Sequence, residues 1–326
     1  MKVLLSGIQP TGIIHIGNYL GAIKQWVEMQ KSYRVFIAVV DYHAITVPQE
    51  PKKLYENTLK TAGLLIACGI DPQKSVLFLQ SHVPAHTELG WILNTLTPVG
   101  ELERMTQFKE KREKAGTLAG LLNYPVLQAA DILLYQPDVV PVGEDQLQHL
   151  ELTRTLARKF NNRFGKVFKI PRPLVIKETA RIMGLDDPSQ KMSKSASNPD
   201  NYIALLDSPA EIHRKIKIAV TDSGKEIRYD EVAKPAISNL MAIYRAFSGL
   251  PYPKIETRYP NQGYYEFKRD LAELLVEKLV PIQKKYSALI KNKKSLLAIL
   301  KNGSQTASRT AEKTLREAKK KMGFVG

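Results

Sequence analysis

Near the start of the chain a short apolar run, Val3-Leu4-Leu5, passes straight into Ser6-Gly7-Ile8-Gln9-Pro10-Thr11-Gly12-Ile13-Ile14-His15-Ile16-Gly17-Asn18. The run reads as a buried strand, and from about His15 the pattern is helical. Between them Gly7, Gly12 and Gly17 let the backbone approach a ligand with no Cβ in the way, and Pro10 stiffens the bend. A glycine-rich bend leading from a first strand into a helix admits few folds. Its amide N–H groups and the helix dipole favour phosphate. Alone, the stretch is equally a glycine-rich connection with no ligand.

The alternation continues. Arg34–Asp41 is a continuous β-branched run, as in a parallel strand covered on both faces. Residues 52–68 place Leu54, Thr58, Ala62 and Leu65 on one helical face, and Gly69-Ile70-Asp71-Pro72 ends that helix. Val76–Leu79 is the next strand, and His86–Leu96 a helix with Trp91 in the core. A loop over Gly116–Leu122, a helix over Leu122–Tyr135, a strand at Asp138–Val142 and a long helix over Asp145–Phe164, opened by acidic residues, follow. This order predicts an α/β fold, a Rossmann-like doubly wound parallel sheet, with ligands beyond the carboxyl ends of its strands.

After Pro171 the pattern changes. Residues 184–203 are rich in Asp, Ser, Asn, Lys and Pro, as in a mobile loop. Helices are expected at about 209–220, 235–247, 263–290 and 304–321. The last carries Ala307, Ala311, Leu315, Ala318 and Met322 on one stripe, opposite Lys and Arg. At 326 residues the length suits two domains: 1–185 for the sheet, and 186–299 for the lysine-rich loop and a smaller helical unit, with the helix from about 300 packing back on the first.

Charge separates the same regions. Residues 1–150 hold 13 Lys and Arg against 14 Asp and Glu, residues 151–280 hold 23 against 16, and residues 281–326 hold 12 against 2. A basic C-terminal third suits a polyanion, although a lysine-rich composition alone gives the same excess. The apolar runs are far shorter than a membrane span, and the N-terminus has no signal-sequence pattern. Cys68, the single cysteine, sits in an apolar helical stretch and reads as a small core residue, which excludes disulfide, Cys-x-x-Cys zinc and iron–sulfur frameworks. These features predict a soluble cytoplasmic protein with no resident metal.

The loop after residue 184 contains Lys191-Met192-Ser193-Lys194-Ser195. Two lysines three apart on such a segment suit a clamp that neutralises a polyphosphate as a leaving group departs. Lysine-rich loops are commonly only solvated, so the pairing with the N-terminal bend is what gives the motif weight.

Together, Thr11-Gly12-x-x-His15-Ile16-Gly17-Asn18 and Lys191–Ser195 resemble the two signatures of class I aminoacyl-tRNA synthetases. Gly7–Gly12, Val40-Asp41-Tyr42-His43-Ala44, Gly100–Lys109, Ala129-Ala130-Asp131-Ile132-Leu133 and Val142-Gly143-Glu144-Asp145-Gln146 narrow the resemblance to the bacterial-type tryptophanyl-tRNA synthetases, nearly end to end. The resemblance implies an enzyme that activates L-tryptophan with Mg·ATP and transfers it to tRNA(Trp), a homodimer, and an anticodon-reading role for the helical part. It places Gln9, Pro10, Thr11, Gly17, Asn18, Gly143, Glu144, Asp145 and Ile182 around ATP. Lys191, Met192, Ser193, Lys194 and Ser195 grip its phosphates, with Gln9, His15, Lys191 and Lys194 as the catalytic group. It places Asp131, Gln128, Tyr124, Gln146 and His43 around tryptophan, Asp131 accepting the indole N–H. Many bacterial members carry methionine where this chain has Gln128.

The residues themselves agree. On a helix starting near Pro125, Tyr124, Gln128, Asp131 and Tyr135 share one face, which is either a wet side or a pocket wall. An indole offers one donor and no acceptor, so a fixed carboxylate discriminates it. A tyrosine-specific relative has the same fold and chemistry, but the Gly7–Gly12 and Val142–Gln146 segments match the tryptophan branch. A nucleotidyltransferase that never sees RNA is opposed by the basic helical third. A regulator that has lost catalysis is opposed by the intact Gly17, Asn18, Lys191 and Lys194.

Overall fold

The computed structural model describes residues 1–10, 12–108, 118–143, 146–175, 182–194, 196–260 and 262–325. Strands β1 (Lys2–Ile8), β2 (Tyr33–Val39), β3 (Ser75–Leu79), β4 (Val139–Val142) and β5 (Arg172–Val175) form one parallel sheet in the order β3-β2-β1-β4-β5. The order reverses between β1 and β4, so a crevice opens there, beyond the strand ends. Ser6 stands opposite Ile37, and Leu4 pairs with both Val35 and Val139. The last five residues of β2 are all buried, as its β-branched run requires.

Strand β5 was not expected. Its Arg-Pro-Leu-Val sequence is short, carries a proline and is only half-buried, which suits an edge strand and hides it from hydropathy patterning.

The first helix runs in three parts: α1 (Ile16–Asn18), a π-helical segment (Tyr19–Ile23) and α2 (Lys24–Met29). It is followed by α3 (Asp41–Ala44), α4 (Pro51–Ala67), α5 (Ala85–Asn94) and α6 (Val99–Glu103). Helix α7 (Ala119–Leu134) starts earlier than expected. Pro125 lies inside it, because a proline removes only one bond of the ladder and this one is packed in the core. Helix α8 (Leu147–Phe164) opens after Gln146. The expected acidic opening at Glu144 and Asp145 lies outside the described residues, as do Gly116 and Thr117 of the expected loop.

Trp91, expected in the core, is 72% exposed. Helix α5 buries Ala85, His86, Leu89, Ile92 and Leu93, a stripe at helical spacing that Trp91 falls outside; position on the helix overrides residue type. Cys68 is buried as expected, and burial pushes its thiol up to about 12.

The later chain is helical: α9 (Pro209–Ile218), α10 (Pro235–Ser248), α11 (Tyr252–Glu256), α12 (Tyr264–Lys291) and α13 (Lys293–Met322). Helix α13 begins about three turns before the predicted 304, capped by the Asn292 side chain on the Ser295 N–H. Its stripe of Ala307, Ala311, Leu315 and Ala318 is buried in one core with Phe78, Leu89 and Leu93. At Gly303 the helix touches the outer edge of β3, where a Cβ would lie 1.8 Å from the Leu77 carbonyl oxygen. Ser304 Oγ accepts the Leu79 N–H at 3.4 Å, so α13 covers a strand edge that would otherwise be open. Among the described residues no helix is long and apolar enough to cross a membrane.

Candidate active site

A cavity of about 300 Å³ opens at the crevice between β1 and β4. Its floor is Leu5, Ser6 and Gly7 of β1, Ala38 and Val40 at the end of β2, and Val140, Pro141 and Val142 of β4. Strand ends supply this apolar surface because parallel strands are covered on both faces and expose side chains only where they stop. Helix α7 forms one wall with Tyr124, Gln128, Asp131 and Ile132, while Gln9, His43, Gln107 and Gln146 complete the rim. The Tyr124–Gln128–Asp131 stripe is therefore a pocket wall and not a wet side. Tyr135, the fourth member, lies behind the wall and is almost fully buried.

Asp131 is 5% exposed and accepts three hydrogen bonds. Gln80 Nε2 (2.7 Å) and His86 Nδ1 (2.6 Å) donate to Oδ1, and His43 Nε2 (2.7 Å) donates to Oδ2. Burial alone would raise its pKa, but His43 and His86 hold the carboxyl well below the usual carboxylate range. The pocket thus contains a fixed anion between an apolar floor and a polar rim. Gln80 and His86 were missed from the sequence. Gln80 directly follows β3 at its carboxyl end, where strand-end polar residues cluster around ligands, and that position was the available signal.

The rest of the rim is hydrogen-bonded too. The Tyr124 hydroxyl meets His149 Nε2 at 2.9 Å and donates to Gln107 Oε1 at 3.2 Å, and Gln128 Nε2 reaches Gln146 Oε1 at 3.4 Å. Gln107 and His149 were not singled out among the candidate residues, although Gln107 lies within the Gly100–Lys109 segment.

The two signature segments meet beside this cavity. Gly12 has φ +99°, open to glycine, and a Cβ on it would lie 3.8 Å from Lys194 Nζ. At Gly17 a Cβ would lie 2.9 Å from His15 Nδ1 and 3.8 Å from Met192 Sδ, so this glycine makes room for the His15 ring. Asn18 Oδ1 accepts the His15 N–H at 3.1 Å and fixes the helix start. Residues 14–16 pair with 203–205 through Ile16 N–H to Ile203 and Leu205 N–H to Ile14. The lysine segment hangs from the same frame: Met192 N–H donates to the Ile182 carbonyl, Met183 bridges Lys191, and Asn201 Oδ1 accepts the Ser193 N–H.

His15 is nearly buried, and its Nδ1 has no hydrogen-bond partner among the described residues. Burial, then the charges of Lys194 and Lys191, push its pKa down to about 4, so it is a neutral imidazole at physiological pH. Burial also lowers the Lys194 pKa. Pro10 is buried, Gly143 is exposed and accepts the Gln146 N–H, and Ile182 is buried. Thr11, Glu144, Asp145 and Ser195 lie outside the described residues.

This arrangement sets a slot with an apolar floor, a polar rim and one buried carboxylate beside a glycine-and-lysine cleft. Such a carboxylate suits a ligand with a single N–H donor, and such a cleft suits a polyphosphate. Comparison with known proteins gives the same picture. A family model for class I tRNA synthetases (W and Y) matches residues 2–280. The tryptophan–tRNA ligase of Caldanaerobacter subterraneus is 52% identical over 326 residues, covering 100% of this chain and 99% of that protein. The crystal structure of tryptophanyl-tRNA synthetase from Mycoplasma pneumoniae matches with a TM-score of 0.90 at 39% identity, covering 100% of this chain and 98% of that one. The Campylobacter jejuni enzyme, complexed with ADP and tryptophan, matches with a TM-score of 0.88 at 39% identity, covering 99% and 100%.

Proposed function

The chain belongs to the class I tRNA synthetases for tryptophan and tyrosine, and we propose that its cavity between β1 and β4 holds tryptophan while the two signature segments hold ATP beside it. Its activity is that of a tryptophan–tRNA ligase. L-Tryptophan and ATP give tryptophanyl-adenylate and diphosphate, and the tryptophanyl group then passes to tRNA(Trp).

In this reading the substrate carboxylate attacks the α-phosphorus directly and no residue forms a covalent intermediate. Catalysis is positioning plus electrostatics. Asp131 accepts the indole N–H, with His43 and Gln128 beside it. Tyr124 and Gln146 hold the amino and carboxylate groups. Gln9, Pro10, Thr11, Gly17 and Asn18 line one side of ATP, which arrives with Mg²⁺, and Gly143, Glu144, Asp145 and Ile182 take the adenosine. Lys191, Met192, Ser193, Lys194 and Ser195 close on the phosphates. Neutral His15 serves as a hydrogen-bonding group at Nδ1 and not as a second cation.

The division at 185/186 assigns activation to the sheet and anticodon reading to the basic helices, in the cytoplasm where tRNA is charged. Exposed Trp91 and Ile45, together lining an apolar recess with Leu127, favour this face as the homodimer contact. The observation that carries the reading is the buried, hydrogen-bonded Asp131 carboxylate in the wall of a slot floored by apolar strand ends. ATP–diphosphate exchange with tryptophan and tyrosine side by side tests it. Exchange with tryptophan alone is expected; equal exchange with tyrosine would overturn it.

A further inference from the structure

Behind the pocket wall a chain of buried groups ends on Asp131. Tyr135 is almost fully buried and its hydroxyl has one partner among the described residues, His86 Nε2, at 2.8 Å. A buried phenol proton needs an acceptor, so Nε2 accepts it. Burial and the Asp131 charge push the Tyr135 pKa up, which keeps that proton in place. A His86 ring that accepts at Nε2 carries its proton on Nδ1, the atom 2.6 Å from Asp131 Oδ1. Gln80 is oriented in the same way: its Oε1 accepts the Tyr42 N–H at 3.1 Å, which turns Nε2 to Asp131.

An ionised carboxylate has about four lone-pair positions. Gln80 and His86 fill both on Oδ1, and His43 fills one on Oδ2. Among the described residues Oδ2 keeps a single acceptor position, on a residue that lines the cavity. We propose that His86, with its tautomer fixed by Tyr135, is a positioning residue for substrate specificity: with Gln80 it saturates Oδ1 and leaves one acceptor of Asp131 for a ligand N–H. His86 touches no part of the cavity, and His82, nearby in sequence, is not part of the chain. The inference rests on Asp131 being the indole acceptor.

The readout is kcat/KM in ATP–diphosphate exchange for tryptophan relative to β-(benzothiophen-3-yl)alanine, in which sulfur replaces the N–H. His86→Leu should lower this ratio by about tenfold or more, as loss of a charge-assisted hydrogen bond that orients the acceptor implies, with KM for ATP changed less than about twofold. His86→Asn, whose amide N–H falls near the Nδ1 position, should restore most of the ratio. Tyr135→Phe, a mild change, should lower it by about threefold, by freeing the tautomer. If His86→Leu and Tyr135→Phe slow both substrates equally, the proposal is wrong and the chain is only structural. Asp131→Ala, which removes the acceptor, separates the two claims in the same assay: an unchanged ratio there overturns the Asp131 reading itself.

Discussion

The Lys194 amine stands beside Gly12, close enough that a Cβ on the glycine would lie 3.8 Å from Nζ. The two residues come from opposite ends of the ATP-signature pattern, and the pairing of residues 14–16 with 203–205 holds their segments together. Neither residue lines the cavity that holds Asp131.

Removing the amine should therefore separate binding from chemistry. Lys194→Ala is expected to slow tryptophan-dependent ATP–diphosphate exchange by about 100-fold or more, as for loss of a charge that meets the transition state. Tryptophan affinity, measured by calorimetry without ATP, should change less than about threefold. Comparable losses in both would place the lysine on the ground state.

Gly17→Ala puts a methyl group 2.9 Å from His15 Nδ1. The ring must move, and with ATP placed as proposed such a misplacement is expected to cost about tenfold or more in exchange rate. Thermal stability should fall only slightly, because alanine suits a helix start better than glycine. A variant with full exchange activity would show that His15 position does not matter.

In the proposed tryptophan slot the carboxylate should dominate. Asp131→Ala is expected to weaken tryptophan binding by about 100-fold, roughly 3 kcal/mol for a buried charge-assisted contact and its network. Gln128→Met, which keeps volume and removes only a 3.4 Å contact to Gln146, should cost less than about fivefold. Equal losses would remove Asp131 as principal acceptor.

His15 gives the fold a pH signature. Its pKa falls from 6.5 to about 4 on folding, so between those values the unfolded chain binds the extra proton and stability rises with pH. Lowering the pH through that window should remove about 3 kcal/mol of unfolding free energy. The depressed Asp131 pKa acts at lower pH, since its contribution is lost only below the ordinary carboxylate value. Urea titrations from pH 7 to 4.5 should show a flatter dependence for His15→Gln than for the wild type; parallel curves would contradict it.

Gly303→Ala tests the helix on the sheet edge. A Cβ 1.8 Å from the Leu77 carbonyl cannot be accommodated without shifting α13. A loss of about 1–3 kcal/mol is expected from overpacking, together with faster proteolysis within α13. An unchanged melting curve would mean the contact is not made in solution.

Much of this site was readable before any coordinates. Glycine spacing and the strand-to-helix change located the bend, and the lysine pair located its counterpart, because both are local patterns with a chemical reason. Helical periodicity put Tyr124, Gln128 and Asp131 on one face but left it a wet side or a pocket wall, and the role of Asp131 came from the family resemblance. What escaped was set by partners far along the chain. Gln80 and His86 become ligands of Asp131 only when β3 and α5 pack against α7, and neither has a local signature. Trp91 was misplaced because a large aromatic was weighed above its position off the buried stripe. Strand β5 was lost to Pro173, and the first turns of α13 to a lysine-rich stretch whose buried residues, Leu296 and Leu300, are too few to mark a face.

The cover that α13 places on β3 has a consequence for biogenesis. A ribosome delivers the five strands long before residues 293–322, so the growing sheet spends that interval with one edge unpaired. An unpaired edge invites another nascent chain to add a strand. The last long helix is thus what ends the window for misassembly, and a messenger cut short before it would yield a protein prone to clump.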